Sequence, residues 1–338
     1  MAWENGRIIN LMKFKIRSMK SDASFRKFYR IKLNKNSKII VFAEKEKYKN
    51  LIAYCAINNF LRNNKILTPR LFEYDYAKGI IIIEDFGDLT FKKVLFAKRN
   101  KLTIYKKLVD LLLKIQKIKP KKKLKTISSK LYVINKYSMK YLHQETDLFL
   151  DWYLPLIINR KKVLSIKLRI KKILSKLYKT LNFPNTCFVH RDYHVFNLMK
   201  VGSSVGVIDS QDALIGNPTY DLVSLIDDVR IKTSQKLKNQ IYGYYLKKAL
   251  KIYKVKSEKF LEDFNVLSVQ RSLKIIGIFS RLFKRDKKNK YLKMIPYTWQ
   301  LLEMRMRSEI FSELKQILNN NISKKIRRKI IFRRRMIY

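Results

Sequence analysis

Glycine, proline and cysteine are all scarce in this sequence, with 8, 6 and 2 occurrences among 338 residues. The sequence also has no internal repeats and no low-complexity domain linkers. Neither Cys55 nor Cys187 has a CxxC partner or metal-ligand spacing, so the sequence predicts no disulfide framework and no cysteine-based metal site. Two ordinary reduced thiols agree with a reducing compartment.

Long apolar runs are missing as well. Lys or Arg interrupts every candidate before it reaches the roughly 18 to 20 residues that a membrane-spanning helix needs. The first residues, MAWENGRIINLMKFK, lack the basic flank, apolar core and cleavage site of a signal peptide. We therefore expect a cytoplasmic protein without a membrane span. With 47% hydrophobic residues, a chain of this length can bury the core of a bilobal enzyme or of two domains.

Acidic residues are few, since 26 Asp and Glu stand against 76 Lys and Arg and leave a formal charge of +50. Such a charge suggests a nucleic-acid partner. However, the basic residues are spread over the whole chain, and Lys, Ile, Asn, Tyr and Phe, whose codons are AT-rich, are enriched together. Codon bias accounts for both facts, so we expect no specific nucleic-acid partner, only weak and salt-sensitive binding to polyanions.

One stretch carries chemistry at set spacings. His190-Arg191-Asp192 and Asn197 form the pattern H-R-D-x-x-x-x-N, and an apolar triplet then ends in Asp209. Phosphoryl transfer needs a carboxylate that orients the attacking hydroxyl and accepts its proton, and oxygen ligands that hold Mg²⁺ on the nucleotide phosphates. Asp192 suits the first role, and Asn197 and Asp209 suit the second. An isolated HRD is equally well a solvated turn, so the prediction depends on the combination.

The spacing also predicts local structure. Phe188 and Val189 end a short apolar strand, Leu198 and Met199 begin another, and Val205 to Ile208 return after the turn at Gly202-Ser203-Ser204. This hairpin would place both magnesium ligands at its neighbouring ends. Two oxygen ligands suffice for Mg²⁺, because it keeps several waters and takes the rest of its shell from phosphate.

Four stretches resemble a known family: HRDYHVFNLM, IDSQDALIGNPTYDLVSLIDD, SDASFRKFYR and SVQRSLKIIGIFSRL. They are similar to the aminoglycoside-phosphotransferase-type kinases, and among them to the bacterial anomeric N-acetylmuramate/N-acetylglucosamine kinases of cell-wall recycling. The resemblance implies an α+β, bilobal, protein-kinase-like fold with a small N-terminal antiparallel-sheet lobe and a larger, mainly helical C-terminal lobe. Residues 1–85 would bind nucleotide, residues 86–318 would hold the catalytic hairpin and the acceptor, and 319–338 would form a basic tail.

The resemblance further implies ATP-dependent, Mg²⁺-dependent phosphorylation of a sugar, at the anomeric hydroxyl of N-acetylmuramate or N-acetylglucosamine. Two alternatives stay open. One is a kinase of another small alcohol, such as an aminoglycoside, choline or homoserine. The other is a catalytically degenerate kinase fold that serves as a polybasic binding module. The sequence leaves the oligomeric state open.

Nucleotide-binding residues are assigned by the resemblance alone. The turn SDASFR would cover the phosphates through Ser21, Ser24 and Arg26, although a plain polar hairpin has the same sequence. The strand SKIIVF ends in Ala43-Glu44 where protein kinases carry a lysine. The phosphate-binding cation is therefore left open among three residues: Arg26, Arg30 and Lys45. Glu84 and Phe86 would lie beside the adenine, although an ordinary strand and turn also fit that segment.

Supporting and acceptor residues follow from the same resemblance. His190 and Asp221 would brace the catalytic loop, with Asp221 also serving as an N-cap at the start of a helix over 221–229. Four residues are candidate acceptor contacts: His194, Gln211, Asp212 and Arg271. Two departures from the family pattern lie in this stretch: Phe196 replaces a residue that is often polar, and Ser210 replaces a bulky apolar one and is expected to hold Asp209 more loosely.

Apolar periodicity predicts the remaining elements. Ile8, Ile9, Leu11, Met12 and Ile16 indicate an amphipathic helix over residues 1–20. Other predicted helices cover 48–62, 108–118 and 160–181, and the stretch 234–318 is helical with 268–282 as its most regular part. The resemblance implies a helix over 134–156, and predicted strands cover 38–42 and 79–83.

Overall fold

The computed structural model describes residues 2–4, 7–9, 15–19, 26–33, 36–43, 48–126, 131–253 and 256–328. These residues form two compact units. The first unit contains the described residues of 1–135 and 190–214, and the second contains those of 136–189 and 215–338.

Strands occur mainly in the first 135 residues. In chain order they are β1 Ala2–Glu4, β2 Arg7–Ile9, β3 Lys15–Met19, β4 Lys27–Leu33, β5 Asn36–Phe42, β6 Leu71–Asp75, β7 Ile80–Glu84, β8 Lys123–Lys125, β9 Leu131–Val133, β10 Cys187–Val189, β11 Leu198–Val201, β12 Ser204–Val207 and β13 Leu214–Gly216.

Helices dominate the rest of the chain. They are α1 Tyr48–Asn63, α2 Phe91–Ala97, α3 Lys101–Gln116, α4 Met139–Leu148, α5 Leu154–Ile157, α6 Arg160–Lys179, α7 Thr219–Ile226, α8 Gln235–Tyr253, α9 Ser257–Lys284, α10 Ile295–Arg305, α11 Ser312–Asn321 and α12 Lys324–Arg328. A π-helical turn covers Phe149–Tyr153, and 3₁₀ turns cover Asn289–Met294 and Glu309–Phe311. In the described ranges no helix is long and apolar enough to cross a membrane.

The first unit is built on an antiparallel five-stranded sheet in the order β3-β4-β5-β7-β6. Alternate residues of β5 face α1, so that Ile39 and Val41 pack with Leu51 and Cys55, while Ile81 of β7 completes the layer. Successive side chains of a strand point to opposite faces, and one face is buried here by the helix. The predicted strands at 38–42 and 79–83 and the helix at 48–62 are confirmed.

The predicted N-terminal helix is wrong. β1 and β2 pair with each other, and β3 pairs with β4, placing Ile16 opposite Ile31. Spaced isoleucines fit either periodicity in a short segment. The ladder with β4 supplies backbone hydrogen bonds from a distant part of the chain, and this pairing overrides local propensity. Residues 1, 5, 6, 10–14 and 20 lie outside the described part.

The second unit is organised around α9, which spans 28 residues and packs against α4, the π-helical turn, α7 and α10. Its Gly277 lies so close to the backbone of Leu148 and Phe149 that an added Cβ would come within 2.3 Å of Leu148 C. Glycine is therefore required at this crossing, because any side chain would push the two helical segments apart.

Buried acids tie α9 to its neighbours. Glu145 of α4 accepts hydrogen bonds from Gln270 Nε2 and Lys274 Nζ, each at 2.8 Å, and from the Tyr220 hydroxyl at 3.0 Å. Asp263 accepts from Asn217 Nδ2 at 2.6 Å. A buried charge is tolerated when donors saturate it, so these networks specify how the helices pack.

Asp227, after α7, is the centre of another buried network. Its carboxylate accepts from Lys238 Nζ at 3.1 Å, Arg305 Nε at 2.9 Å and Ser268 Oγ at 2.8 Å. Burial on its own would raise the pKa of Asp227, but the positive charges of Lys238 and Arg305 outweigh it and lower the pKa to about 2.

Replacing Asp227 by asparagine is expected to destabilise the protein by roughly 3 to 5 kcal/mol near neutral pH, since two buried cations lose their counter-charge. The carboxylate stabilises the fold only while it is ionised. An unfolded Asp titrates near ~3.9, so the difference between wild type and variant should be full above that pH and shrink as the pH falls through the folded pKa of about 2.

Urea unfolding of both proteins at several pH values measures this difference. Glu313→Gln is the control, because Glu313 and its partner Lys176 are both 58% exposed, and such surface pairs contribute at most about 1 kcal/mol. Equal stability changes in the two variants would show that the Asp227 network does not stabilise the second unit.

Candidate active site

The loop after β10 holds Asp192 by its backbone. The Asp192 N–H donates to His190 Nδ1 at 3.3 Å, and the Asp192 carbonyl accepts from His194 N at 3.0 Å. Because Nδ1 is the acceptor, the imidazole proton lies on Nε2, which donates to the Ile208 carbonyl at 3.0 Å. His190 is 1% exposed, so it links the loop to the return strand from a buried position.

Asn197 connects the loop to the hairpin. Its Nδ2 donates to the Asp192 carbonyl at 3.1 Å, and its own carbonyl accepts from Ile208 N at 3.0 Å. The amide orientation directs Oδ1 away from that carbonyl and leaves this oxygen as a possible ligand. β11 and β12 pair from Leu198 opposite Val207 to Val201 opposite Ser204, so the predicted hairpin is confirmed.

Two residues of this region have left-handed backbone conformations. Arg191 has φ +74° and Asp209 has φ +66°. The left-handed conformation of a residue with a Cβ costs about 1 to 2 kcal/mol. Such residues persist only where the surrounding structure holds them, and they cluster at functional sites. The strain therefore lies immediately before Asp192 and at Asp209 itself.

Asp209 is engaged by Arg26, at the entrance to β4. Arg26 Nη2 donates to Asp209 Oδ1, and Nη1 donates to Gln211 Oε1 at 3.0 Å. The Arg26 side chain is 10% exposed and that of Asp209 is 36% exposed. Gln211 Nε2 in turn donates to Asp212 Oδ2 at 3.0 Å, and Arg191 Nη1 donates to the Asp212 carbonyl at 3.2 Å.

Ser210 is better held than the sequence suggested. It is fully buried, and its Oγ donates to Asn58 Oδ1 of α1 at 2.6 Å. A hydroxyl paired with an amide replaces the apolar packing of a bulky residue at this position. The expected loosening of Asp209 is not supported, because its neighbour is tied to the helix behind the sheet.

The segment after β7 is held by an ion-pair network. Arg30 Nη2 donates to Asp85 Oδ1 at 2.9 Å, Arg30 Nη1 donates to Asp88 Oδ2 at 2.8 Å, and Ser37 Oγ donates to Asp85 Oδ2 at 2.7 Å. Burial opposes ionisation of Asp85, but hydrogen bonds from Arg30, Ser37 and the Gly87 N–H outweigh it and lower its pKa. The two carboxylates raise the pKa of Arg30.

Phe86 and Glu84 have separate partners in the first unit. The Phe86 ring lies against Gly206 of β12, where an added Cβ would approach Cε2 to 2.6 Å. Only glycine lets this ring reach the hairpin. Glu84 Oε2 accepts a hydrogen bond from the Arg70 N–H at 3.0 Å.

The first unit thus brings together Asp192, Asn197, Asp209, Arg26 and Gln211. Ser21, Ser24 and Lys45 lie outside the described residues. In the second unit, Arg271 of α9 is 4% exposed.

The N-cap prediction for Asp221 is wrong, because α7 spans Thr219–Ile226 with Pro218 as its cap. The preceding Asn217 Oδ1 accepts from Thr219 N at 2.9 Å and competes successfully for the helix start.

Several partners were not identified from the sequence: Asn58, Ser37, Asp85, Asp88 and Gly206. Asn58 lies on the buried face of a helix and is 152 positions from Ser210. A buried asparagine in an otherwise apolar helix face is a signal for such a bond. Gly206 within a strand is also a signal, because glycine there marks a close approach.

A magnesium ion fits this donor set. The described residues contain no group of three or more His, Cys, Asp or Glu side chains that could hold a metal by themselves. A kinase-type ion needs fewer protein ligands, because nucleotide phosphates complete its shell. One carboxylate and one amide oxygen, from residues that flank the open end of one hairpin, meet that requirement.

Comparison with known proteins gives the family. The model of the phosphotransferase enzyme family (APH) matches residues 15–252. An N-acetylmuramate/N-acetylglucosamine kinase of Pseudomonas aeruginosa is 30% identical over 286 residues, which cover 84% of this chain and 81% of that protein. A protein of the same name from Neisseria meningitidis is 28% identical, covering 82% of this chain and 81% of that protein.

Solved structures share the fold. The ADP-bound aminoglycoside phosphotransferase APH(2'')-Ib has a TM-score of 0.59 at 14% identity, covering 86% of this chain and 93% of that chain. The choline kinase LicA from Streptococcus pneumoniae has a TM-score of 0.58 at 12% identity, covering 87% of this chain and 95% of that chain. The predicted kinase-like α+β fold is confirmed, and the chain belongs to the phosphotransferase enzyme family.

Proposed function

We propose that this protein transfers the γ-phosphoryl group of ATP to the anomeric hydroxyl of N-acetylmuramate or N-acetylglucosamine. The relatives that bear this name cover more than four fifths of the chain. The observation that carries the proposal is that Asp192, Asn197 and Asp209 flank one hairpin of the first unit, where hydrogen bonds hold the backbones of Asp192 and Asn197.

Asp192 acts as the general base in this proposal. Its carboxylate accepts the proton of the sugar hydroxyl while that oxygen attacks the γ-phosphorus, and ADP leaves. Hydrogen bonds from His194 and Asn197 to the Asp192 carbonyl hold the backbone that carries this side chain. The buried His190 supports the loop through its hydrogen bond to the Ile208 carbonyl. Such positioning matters because little covalent chemistry is required of the protein.

Asn197 and Asp209 would hold Mg²⁺, which neutralises phosphate charge during transfer. The segment from Glu84 to Phe86 would read the adenine through backbone groups, with Phe86 packed on the hairpin. Ser21 and Ser24 would cover the phosphates.

The domain boundaries stay predictions: the nucleotide-binding lobe ends at residue 85, the acceptor lobe ends at 318, and the basic tail covers 319–338. Asp221 remains a proposed brace, and His194, Gln211, Asp212 and Arg271 remain proposed acceptor contacts.

Incubating the purified protein with Mg-ATP and a panel of small alcohols tests the reaction. The panel contains N-acetylmuramate, N-acetylglucosamine, an aminoglycoside, choline and homoserine, and mass spectrometry detects the product. A sugar 1-phosphate supports the proposal. Phosphorylation of a cationic alcohol would instead indicate a kinase of another small molecule. If no compound of the panel is phosphorylated, the binding module is favoured. We place the reaction in the cytoplasm, where ATP is available.

The charge of +50 leads to a separate prediction. Binding of a fluorescent RNA or DNA oligonucleotide should fall by orders of magnitude between low and physiological salt, because it depends on counterion release. It should also be equal for different base sequences. Fluorescence titrations at two salt concentrations measure this. Tight, sequence-dependent binding at physiological salt would instead indicate base contacts and a selected nucleic-acid function.

A further inference from the structure

The ion pair between Arg26 and Asp209 joins two residues that the proposed function assigns to different ligands. Arg26 is assigned to the phosphates and Asp209 to the metal, yet Arg26 Nη2 donates to Asp209 Oδ1. Its Nη1 donates to Gln211, and the guanidinium lies 5.6 Å from the centre of the Phe28 ring. Three contacts therefore hold Arg26 at the carboxylate.

The other basic residues of the neighbouring strands are directed elsewhere. Arg30 donates to Asp85 and Asp88. Lys38 of β5 lies 4.8 Å from the Phe72 ring centre and 4.0 Å from Glu73 Oε1. Lys27 is exposed. Of the described basic residues between positions 26 and 42, Arg26 is thus the one in contact with Asp209, the proposed metal ligand.

We propose that Arg26 is the phosphate-binding cation and that it exchanges partners when nucleotide binds. This inference depends on the proposed function. Before binding, the guanidinium neutralises Asp209 and occupies its Oδ1. When metal–nucleotide binds, Arg26 would release Asp209, which could then hold the ion, and the guanidinium would donate to phosphate oxygens instead. A guanidinium has a planar fork of donors that matches carboxylate and phosphate alike.

The exchange has an electrostatic reason. A cation at Asp209 would lie close to the Arg26 guanidinium, and the repulsion between the two positive charges weakens binding of the cation while the ion pair is in place. Arg26 therefore opposes binding of a metal ion alone and favours binding of a metal–nucleotide, whose phosphates give the guanidinium a new partner. If Arg26 only stabilised the fold, replacing it would not change the affinities for free metal and for metal–nucleotide in opposite directions.

The full-length protein with Arg26→Gln tests the exchange through binding alone. Without nucleotide, the variant should bind free Mn²⁺ about twofold to fivefold more tightly than wild type does, since a competing ion pair is lost. Electron paramagnetic resonance measures this binding. A fluorescent ATP analogue with Mn²⁺ should bind about tenfold or more weakly, since charged hydrogen bonds to phosphate are lost. Adenosine, which has no phosphate, should bind equally to both.

Lys27→Gln is the matched control, because it removes the same charge from the adjacent, exposed residue, and both titrations should stay at wild-type values. Arg26→Lys, which keeps the charge without the fork, should restore part of the analogue binding. Weaker binding of Mn²⁺ alone, unchanged analogue binding, or loss of adenosine binding in Arg26→Gln would overturn the exchange. Wild-type protein that binds nucleotide but phosphorylates no sugar would overturn the proposed function and leave the exchange intact.

Discussion

Replacing Asp192 by asparagine is expected to lower turnover of the amino sugar by ~10²- to 10⁴-fold, the usual cost of removing a general base. Asparagine preserves the size of the side chain, and the Asp192 backbone bonds to His190, His194 and Asn197 do not depend on the carboxylate. Mg-ATP should therefore still bind with nearly its wild-type affinity. Steady-state kinetics and nucleotide titration measure the two quantities separately.

Asp110→Asn is a suitable control for Asp192→Asn. Asp110 is an exposed residue of α3 in the same unit, so this variant removes an acidic charge from the unit without touching the loop, and turnover should stay at the wild-type level. If Asp192→Asn retains wild-type turnover, another group accepts the proton. If it loses nucleotide binding as well, Asp192 acts by holding the loop.

Replacing Asp209 by alanine should abolish metal-dependent nucleotide binding and activity together, with a loss of at least ~10²-fold, because metal ions contribute several kcal/mol of charge stabilisation. The variant also leaves Arg26 without its carboxylate partner. Nucleotide titrations with and without Mg²⁺ measure the effect, and the wild-type difference between the two should disappear.

A graded series makes this prediction sharper. Asp209→Asn keeps one neutral oxygen ligand, so its metal dependence should lie between wild type and Asp209→Ala. His190 and Ser210 anchor the hairpin independently of this side chain, and thermal unfolding should show that both variants remain folded. An unchanged Mg²⁺ dependence in Asp209→Ala would remove Asp209 from the metal site.

The pattern H-R-D-x-x-x-x-N and the apolar strand before Asp209 were enough to predict the hairpin, because strand and turn preferences act over a few neighbouring residues. The same local preferences failed for residues 1–20, where the pairing of β3 with β4 decided between helix and strand. They also failed for Asp221, where the side chain of Asn217 determined the helix start.

The residues of the candidate chemistry were thus predicted from motif spacing, and the kinase-like fold from the resemblance of four stretches, because spacing and motifs report which groups a reaction needs. The tertiary structure alone decided the partners. Arg26 and Asp209 are 183 positions apart and Ser210 and Asn58 are 152 apart, while Arg30 reaches Asp85 across the sheet. No local preference encodes such pairs, because they form only when packing of the whole unit brings distant charges and amides within hydrogen-bond distance.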